Sequence, residues 1–161
     1  MKVSPLIKGI ITAVAMICFS LIAYYFIPEK SGLHYLVYGI YALGISWTLT
    51  AYHNLASFTG KFPDSFNTGF RCFIVATLMM TLYSFTFNKM HPEFAEEAAQ
   101  LFKEQQLTQK DNSKTPAEID VEANRYKNGY AMAIVYGSIF GYLIIGAVVT
   151  AAASALLIRK K

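Results

Sequence analysis

The side chains best suited to chemistry lie in one polar stretch, where His91 precedes acids at Glu93, Glu96 and Glu97. An imidazole beside carboxylates could bind a divalent cation or transfer protons. The stretch has only one nitrogen ligand, however, and its acids occupy the first turns of a helix that begins at Pro92, where the positive end of the helix dipole favours negative charge. We therefore interpret these residues as helix-capping groups on a solvated face, and we predict no metal site.

No other set of side chains predicts a catalytic centre or a cofactor site. Serine, histidine and aspartate are present, but no nucleophile motif relates them. His34 and His53 stand at opposite ends of one predicted helix, roughly 28 Å apart at about 1.5 Å per residue. Cys18 and Cys72 lack paired-cysteine spacing, so they are interpreted as small buried apolar residues rather than as a redox pair. The sequence thus predicts a protein that is not an enzyme and carries no cofactor.

Four segments without charged residues set the architecture. Only 15% of the residues are charged and 55% are hydrophobic, whereas about a quarter of the residues in soluble domains are charged. Because about 20 apolar residues span a hydrocarbon core, each segment can hold a membrane helix: 9–28, 31–60, 72–88 and 128–158. The predicted fold is all-α, a four-helix transmembrane bundle that forms a single membrane domain over residues 1–161, with helices at about 9–27, 33–52, 65–88 and 129–158.

The third helix needs more residues than its charge-free segment supplies. Gly60 and Pro63 interrupt the preceding stretch, in which phenylalanines recur every four residues. We expect a break near Pro63 and an N-cap at Asp64, which would extend the third helix to a sufficient length. Arg71 would then lie at the inner membrane interface, where it either pairs with Asp64 or Asn67 or binds a lipid phosphate.

A polar insert separates the third and fourth membrane helices. Residues 89–127 contain 6 Lys or Arg and 8 Asp or Glu, too many for the bilayer, and the stretch is too short for a core of its own. We predict a helical hairpin outside the membrane over residues 89–128. Its second helix opens with Thr115-Pro-Ala-Glu118, a capping box with proline at the first helical position, and continues into the last membrane helix.

The ends of the chain indicate the topology. The apolar run after Lys8 resembles a secretory signal, but it is long, lacks a small-residue cleavage site and ends at Pro28, so we interpret it as a retained first helix. Lys and Arg are balanced, with 7 on each side of the membrane. Cations near both termini favour a cytoplasmic location for each: Lys2, Lys8, Arg159, Lys160 and Lys161. The formal charge of +4, without a longer basic run, does not indicate nucleic-acid binding.

The last helix carries a stripe of small residues. At four-residue spacing, one face presents Gly129, Ala133, Gly137 and Gly141. Such a face lets a second helix backbone approach closely, so we predict helix packing along it. Two partners are open, another helix of the same chain or the same helix of a second chain.

The predicted membrane interior contains hydroxyl groups but no Asp, Glu, Lys, Arg or His at mid-depth. Proton-coupled transporters and pumps place an ionisable group there because the transport step needs one. Serine and threonine instead donate to their own helix or bridge two helices. Coupled transport is therefore disfavoured.

The order of these parts resembles that of a known family. The chain has four hydrophobic helices, the strings Phe62-Pro-Asp-Ser-Phe66-x3-Phe70-Arg71 and His91-Pro-Glu-Phe94, a polar insert, and a glycine-rich last helix that ends in Arg-Lys. It resembles the DUF4199 family of small bacterial membrane proteins, which are found mainly in Bacteroidetes. The resemblance implies a multi-pass protein of the bacterial inner membrane with no established activity, and it assigns no catalytic residue.

Two functions are compatible with these features. The first is a structural or accessory protein that acts as a homo-oligomer or as a subunit of a larger membrane complex, as the small-residue stripe suggests. The alternative is a carrier or binder of a lipid or other apolar molecule, with a cleft lined by aromatic residues such as Trp47, Tyr41 and Phe73. Membrane lipids are expected partners in either case.

Overall fold

The computed structural model describes residues 3–28, 31–56, 58–108 and 114–159. Within these ranges the α-helices are α1 (Pro5–Phe26), α2 (Leu36–His53), α3 (Phe62–Met90), α4 (Pro92–Thr108) and α5 (Pro116–Arg159), and a short 3₁₀ turn at Gly32–Tyr35 leads into α2. The predicted all-α class is confirmed. Glu29 and Lys30, like the terminal cations Lys2, Lys160 and Lys161, lie outside the described residues.

Helix α1 begins four residues earlier than predicted, because its first turn is capped. The hydroxyl of Ser4 accepts the backbone N–H of Ile7 at 3.4 Å, and Pro5 occupies the first helical position, where a missing N–H costs nothing. The helix ends at Phe26, two residues before Pro28. Lys8 therefore lies inside the first turns of α1.

Helix α3 begins at Phe62, so the predicted break near Pro63 is confirmed, whereas the N-cap predicted at Asp64 is wrong because Asp64 lies within the first turn. Proline is tolerated here because the N–H groups of a first helical turn have no partner within the helix. The Asp64 carboxylate instead accepts a hydrogen bond from the Thr59 hydroxyl at 2.6 Å. The rings of three phenylalanines stack along one face of α3, with successive centroids 5.9 and 6.4 Å apart: Phe62, Phe66 and Phe70.

Three of the described helices are long and apolar enough to cross a membrane: α1, α3 and α5. Helix α2, with 18 residues, is not among them, so length and composition support three spans rather than the predicted four. The reason lies in its composition, since tyrosine, tryptophan, threonine and histidine dilute the aliphatic residues of α2.

The chain divides into two compact units, Met1–Thr81 with Ser138–Lys161, and Leu82–Gly137. In the first unit, side chains from all of its helices are fully buried, among them Met16, Tyr41, Ile45, Leu49 and Ala76. Small residues allow close approach of these helices. A Cβ added at Gly9 would stand 2.5 Å from the carbonyl oxygen of Cys72, and one at Gly69 would stand 2.5 Å from Cγ2 of Thr150.

In the second unit, α4 packs antiparallel to the first part of α5. Ion pairs join Glu96 to Lys127 and Lys103 to Asp120. The rings of Phe102 and Tyr126 stack with centroids 5.2 Å apart, and small apolar residues are buried nearby, Ala99, Ile119 and Ala123. Because exposed ion pairs contribute little, the buried seam and the ring pair account for most of the stability of this contact.

The predicted capping box at the start of α5 is confirmed. The Glu118 carboxylate accepts the backbone N–H of Thr115 at 2.7 Å, and the Thr115 hydroxyl accepts the N–H of Glu118 at 3.4 Å. The two bonds satisfy two of the N–H groups that a helix start leaves open. From this cap α5 runs without interruption for 44 residues.

Candidate functional site

The hydroxyl of Tyr41 is a fully buried polar group of the first unit. It lies 3.0 Å from the Thr77 hydroxyl, 3.2 Å from the carbonyl oxygen of Tyr142 and 3.3 Å from that of Phe73. The phenol has one hydrogen to donate to either carbonyl, while Thr77 can donate to the phenol oxygen. This group therefore links α2, α3 and α5, and its role is structural.

Close packing at Gly146 keeps this link in place. A Cβ added there would stand 2.5 Å from the Tyr41 hydroxyl oxygen and 2.8 Å from Cδ2 of Phe73. Tyr41 and Phe73 are at most 2% exposed. These two aromatic residues thus form the interior of the unit and do not line a cleft, in contrast to the expectation from the sequence.

Trp47, in contrast, borders a half-open cavity of about 310 Å³. The cavity lies between the start of α1, the end of α2 and the start of α3, and its lining includes Val3, Lys8, Trp47, Thr48, Tyr52 and Thr68. Its walls are mainly apolar, and Lys8 supplies the charge. The arrangement is typical of a site for an amphiphilic molecule.

Lys8 is unusual because it is buried without an acidic partner. The residue is only 7% exposed, and its ammonium nitrogen lies 5.1 Å from the centroid of the Trp47 ring. None of the ion pairs among the described residues includes it. A cation over an indole face gains some electrostatic stabilisation, but a buried charge ordinarily also needs an opposite charge or hydrogen bonds.

A second cavity, of about 300 Å³, adjoins the first at Trp47. It follows the groove between α1 and α2 and is lined by Ile11, Ala15, Ile40, Leu43, Gly44 and Trp47. From Lys8 to Ala15, the two cavities together extend roughly 10 Å along α1 at about 1.5 Å per residue. The two cavities together present a cation at one end and an apolar groove at the other, which we call the Lys8 groove.

The family model described as a protein of unknown function (DUF4199) matches residues 8–160, nearly the whole chain. The chain belongs to the DUF4199 family. The resemblance identified from the sequence is confirmed. No curated protein and no solved structure matches the chain.

The described residues leave open space beside the glycines of the small-residue stripe of this DUF4199 protein. Among the described residues, no atom lies within 4 Å of a Cβ added at Gly129, Gly137 or Gly141, and Ala133 is exposed. Packing along the stripe, against either of the two partners considered, stays a prediction.

Asp64 and Arg71 are not brought together. They stand two turns apart on α3, about 10 Å along the axis at about 1.5 Å per residue. Within the ranges the structure describes, no ion pair includes either residue, and Asp64 is engaged by Thr59. Arg71 is exposed, and its contact with a lipid phosphate stays a prediction.

The polar side chains at the start of α4 stabilise that helix and its contact with α5. Nδ1 of His91 lies 2.6 Å from the Glu93 carboxylate. A backbone N–H of the first turn and this imidazole hold the pKa of Glu93 below its ordinary value. Glu96 pairs with Lys127 on α5. In the described part of the chain, no three His, Cys, Asp or Glu side chains are grouped as ligands for one metal ion.

The Lys8 groove was missed by sequence reasoning. Lys8 was interpreted as a topology-determining charge and Trp47 as an aromatic of a cleft, and nothing in their spacing relates the two. The only signal was that Lys8 is the last charge before a charge-free segment, which places an ammonium at the level of lipid head groups.

Proposed function

We propose that this DUF4199 protein is a non-enzymatic integral membrane protein that binds a lipid in the Lys8 groove. The observation that carries this proposal is the junction of the two cavities at Trp47. The charge-free segment after Lys8 is 20 residues long, about 30 Å of helix and enough to span the hydrocarbon core. The charged cavity then lies at the interface and the apolar one within the hydrocarbon, which is how a lipid arranges its head and chain.

The proposed topology includes α2 as a fourth span. Hydropathy counts tyrosine and threonine as polar wherever they point, but the Tyr41 hydroxyl is satisfied inside the unit and Thr48 donates to the carbonyl oxygen of Gly44 at 2.9 Å. Such side chains cost little in a membrane because their polar groups are hidden from lipid. With four spans both termini lie on one side, and the cations near them favour the cytoplasmic side of a bacterial inner membrane.

Filling the groove tests the lipid proposal. Ala15 is exposed on the groove wall, so Ala15→Phe adds bulk there without crowding the core. Ala152, exposed on α5 and outside both cavities, offers a matched control, Ala152→Phe. Native mass spectrometry of protein extracted in mild detergent should show a retained lipid on the wild type and on the control, and a several-fold smaller bound fraction on Ala15→Phe. Equal lipid retention by all three proteins, or none by any, would contradict the proposal.

A second function, assembly through the stripe of α5, is supported by a different observation. Tyr41 and Phe73 occupy the space beside Gly146, whereas no described atom lies within 4 Å of a Cβ added at Gly137 on the same helix. The two glycines are nine residues apart, which places them on opposite faces of α5 at about 100° per residue. We propose that the face bearing Gly137 packs against a second copy or a subunit of a larger membrane complex.

A further inference from the structure

We infer that the lipid in the Lys8 groove is acidic, with its phosphate group bound by the ammonium of Lys8 and the hydroxyl of Tyr52. This inference rests on the proposed lipid binding and adds the class of head group. It also assigns two residues to head-group recognition, Lys8 on α1 and Tyr52 on α2.

The ammonium of Lys8 has no acidic partner among the described residues. A lysine that only reaches for the membrane surface keeps its head in water, and Lys61 and Arg71 on the same unit are indeed exposed. Lys8 is buried instead, and its contact with the Trp47 ring supplies no negative charge. An anion in the cavity would provide the missing charge, because a charge-assisted hydrogen bond is about twice as strong as a neutral one.

The hydroxyl of Tyr52 is a second donor at the same cavity. Tyr52 lines it, and no hydrogen bond to the Tyr52 hydroxyl is found among the described residues, although its ring contacts Phe58 at 5.4 Å between centroids. The two threonines of the lining differ, since Thr48 donates to Gly44 and Thr68 donates to the carbonyl oxygen of Asp64. Lys8 and Tyr52 are thus two donors of this lining that the described hydrogen bonds leave available to an anion, beside the indole N–H of Trp47.

The apolar groove beyond Trp47 distinguishes a lipid from a free anion as the occupant. The cavity that holds Lys8 continues into the apolar groove beyond Trp47. A small ion would leave that groove without a polar partner, whereas an acyl chain fills it with apolar contacts. A phosphate on an amphiphile fits both cavities. A zwitterionic head group carries its own cation beside its phosphate, so only a lipid with a net negative charge offsets the charge of Lys8, which selects an acidic phospholipid.

The test compares lipids that differ only in head group. Wild-type protein is titrated in detergent with phosphatidylglycerol, with phosphatidylcholine of the same acyl chains, and with inorganic phosphate. Binding is followed by native mass spectrometry and by thermal stability. The variants are Lys8→Met, Tyr52→Phe and, as a matched loss of one exposed cation, Lys61→Gln. Lys8→Met keeps the apolar stem and removes an unpaired buried charge, so the variant should be at least as stable as wild type without lipid.

We expect the wild type and Lys61→Gln to bind phosphatidylglycerol more tightly than phosphatidylcholine. Loss of the charged donor in Lys8→Met should weaken phosphatidylglycerol binding roughly tenfold to a hundredfold and leave phosphatidylcholine binding unchanged. Tyr52→Phe should also weaken phosphatidylglycerol binding, but by a smaller factor than Lys8→Met. Equal binding of both lipids by wild type would overturn the acidic head group while leaving lipid binding intact, and no binding of either lipid would overturn both. A preference that persists in Lys8→Met excludes Lys8 as the head-group site. Stabilisation by inorganic phosphate equal to that by phosphatidylglycerol indicates a free anion and overturns the inference.

Discussion

Replacing Gly146 by alanine is the most direct test of the packing at the centre of the first unit. The added Cβ would stand 2.5 Å from the Tyr41 hydroxyl oxygen and 2.8 Å from Cδ2 of Phe73. Since carbon–oxygen contacts are seldom closer than about 3.3 Å, the hydroxyl would have to move by roughly 0.8 Å. Its neighbours at 3.0 to 3.3 Å hold it in place from α3 and α5, so the helices must separate or the hydrogen bonds must break.

The expected cost follows from these two alternatives. Overpacking of a tight core costs about 1–3 kcal/mol, and an interhelical hydrogen bond in a membrane protein contributes about 0.6–1.7 kcal/mol. Alanine recovers up to about 1 kcal/mol through its higher helix propensity. We therefore expect Gly146→Ala to lower the free energy of unfolding by about 1–3 kcal/mol.

A matched control and a double-mutant cycle identify the cause. Gly39 lies on α2 with no described atom within 4 Å of an added Cβ, so Gly39→Ala should be neutral or stabilising by up to about 1 kcal/mol. Unfolding is measured by reversible titration in mixed micelles, with helix content as the signal. In a Tyr41→Phe background, which lacks the nearest atom, Gly146→Ala should cost at least about 1 kcal/mol less. Equal costs for Gly146→Ala and Gly39→Ala, or the same cost of Gly146→Ala in both backgrounds, would refute the reasoning.

Two further predictions concern the ends and the surface of the helices. Glu93 has a folded-state pKa below its ordinary value of 4.5, so its stabilising contribution is present above pH 4.5 and is lost as the pH falls through the lower, folded value. In thermal unfolding, Glu93→Gln should be less stable than wild type at pH 7, and this difference in stability should shrink below pH 4.5 on the way to pH 3. A difference in stability that does not change with pH would contradict this prediction. On α5, the double change Gly137→Leu and Gly141→Leu should reduce the size of the complex in gel filtration without lowering protomer stability, while Ala155→Leu, also at an exposed position, should change neither. An unaltered complex would exclude the stripe as an interface.

Features that depend on local sequence were predictable from the residues alone. The all-α class, the apolar helices α1, α3 and α5 and the capping box at Thr115 follow from charge spacing and from side chains three residues apart. The start of α3 was predicted wrongly because Pro63 fits a helix break and a first turn equally well. Mean hydropathy does not place α2 among the candidate spans for a related reason, since it does not take into account that the Tyr41 hydroxyl has hydrogen-bond partners on α3 and α5.

Glycines show most clearly why contacts were harder to predict than helices. A four-residue repeat drew attention to Gly129, Gly137 and Gly141, which contact nothing within the described chain, while the glycines that admit a neighbouring helix stand one to a helix with no repeat: Gly9, Gly44, Gly69 and Gly146. A four-residue repeat of glycine indicates a helix face without bulky side chains, but only the fold determines which element packs against that face. The same argument applies to Lys8, whose burial depends on Trp47, a residue 39 positions away.

The two proposed interactions use different helices and can fail separately. The Lys8 groove lies between α1, α2 and the start of α3, whereas the stripe lies on the face of α5 opposite Gly146. Lys8→Met should therefore remove the acidic-lipid preference while the complex keeps its size. The two leucines on α5 should reduce the complex while the lipid stays bound. If either variant produced both losses, the lipid would have to lie at the interface between chains, and the groove would be completed by a second copy rather than by α1, α2 and α3 of one chain alone.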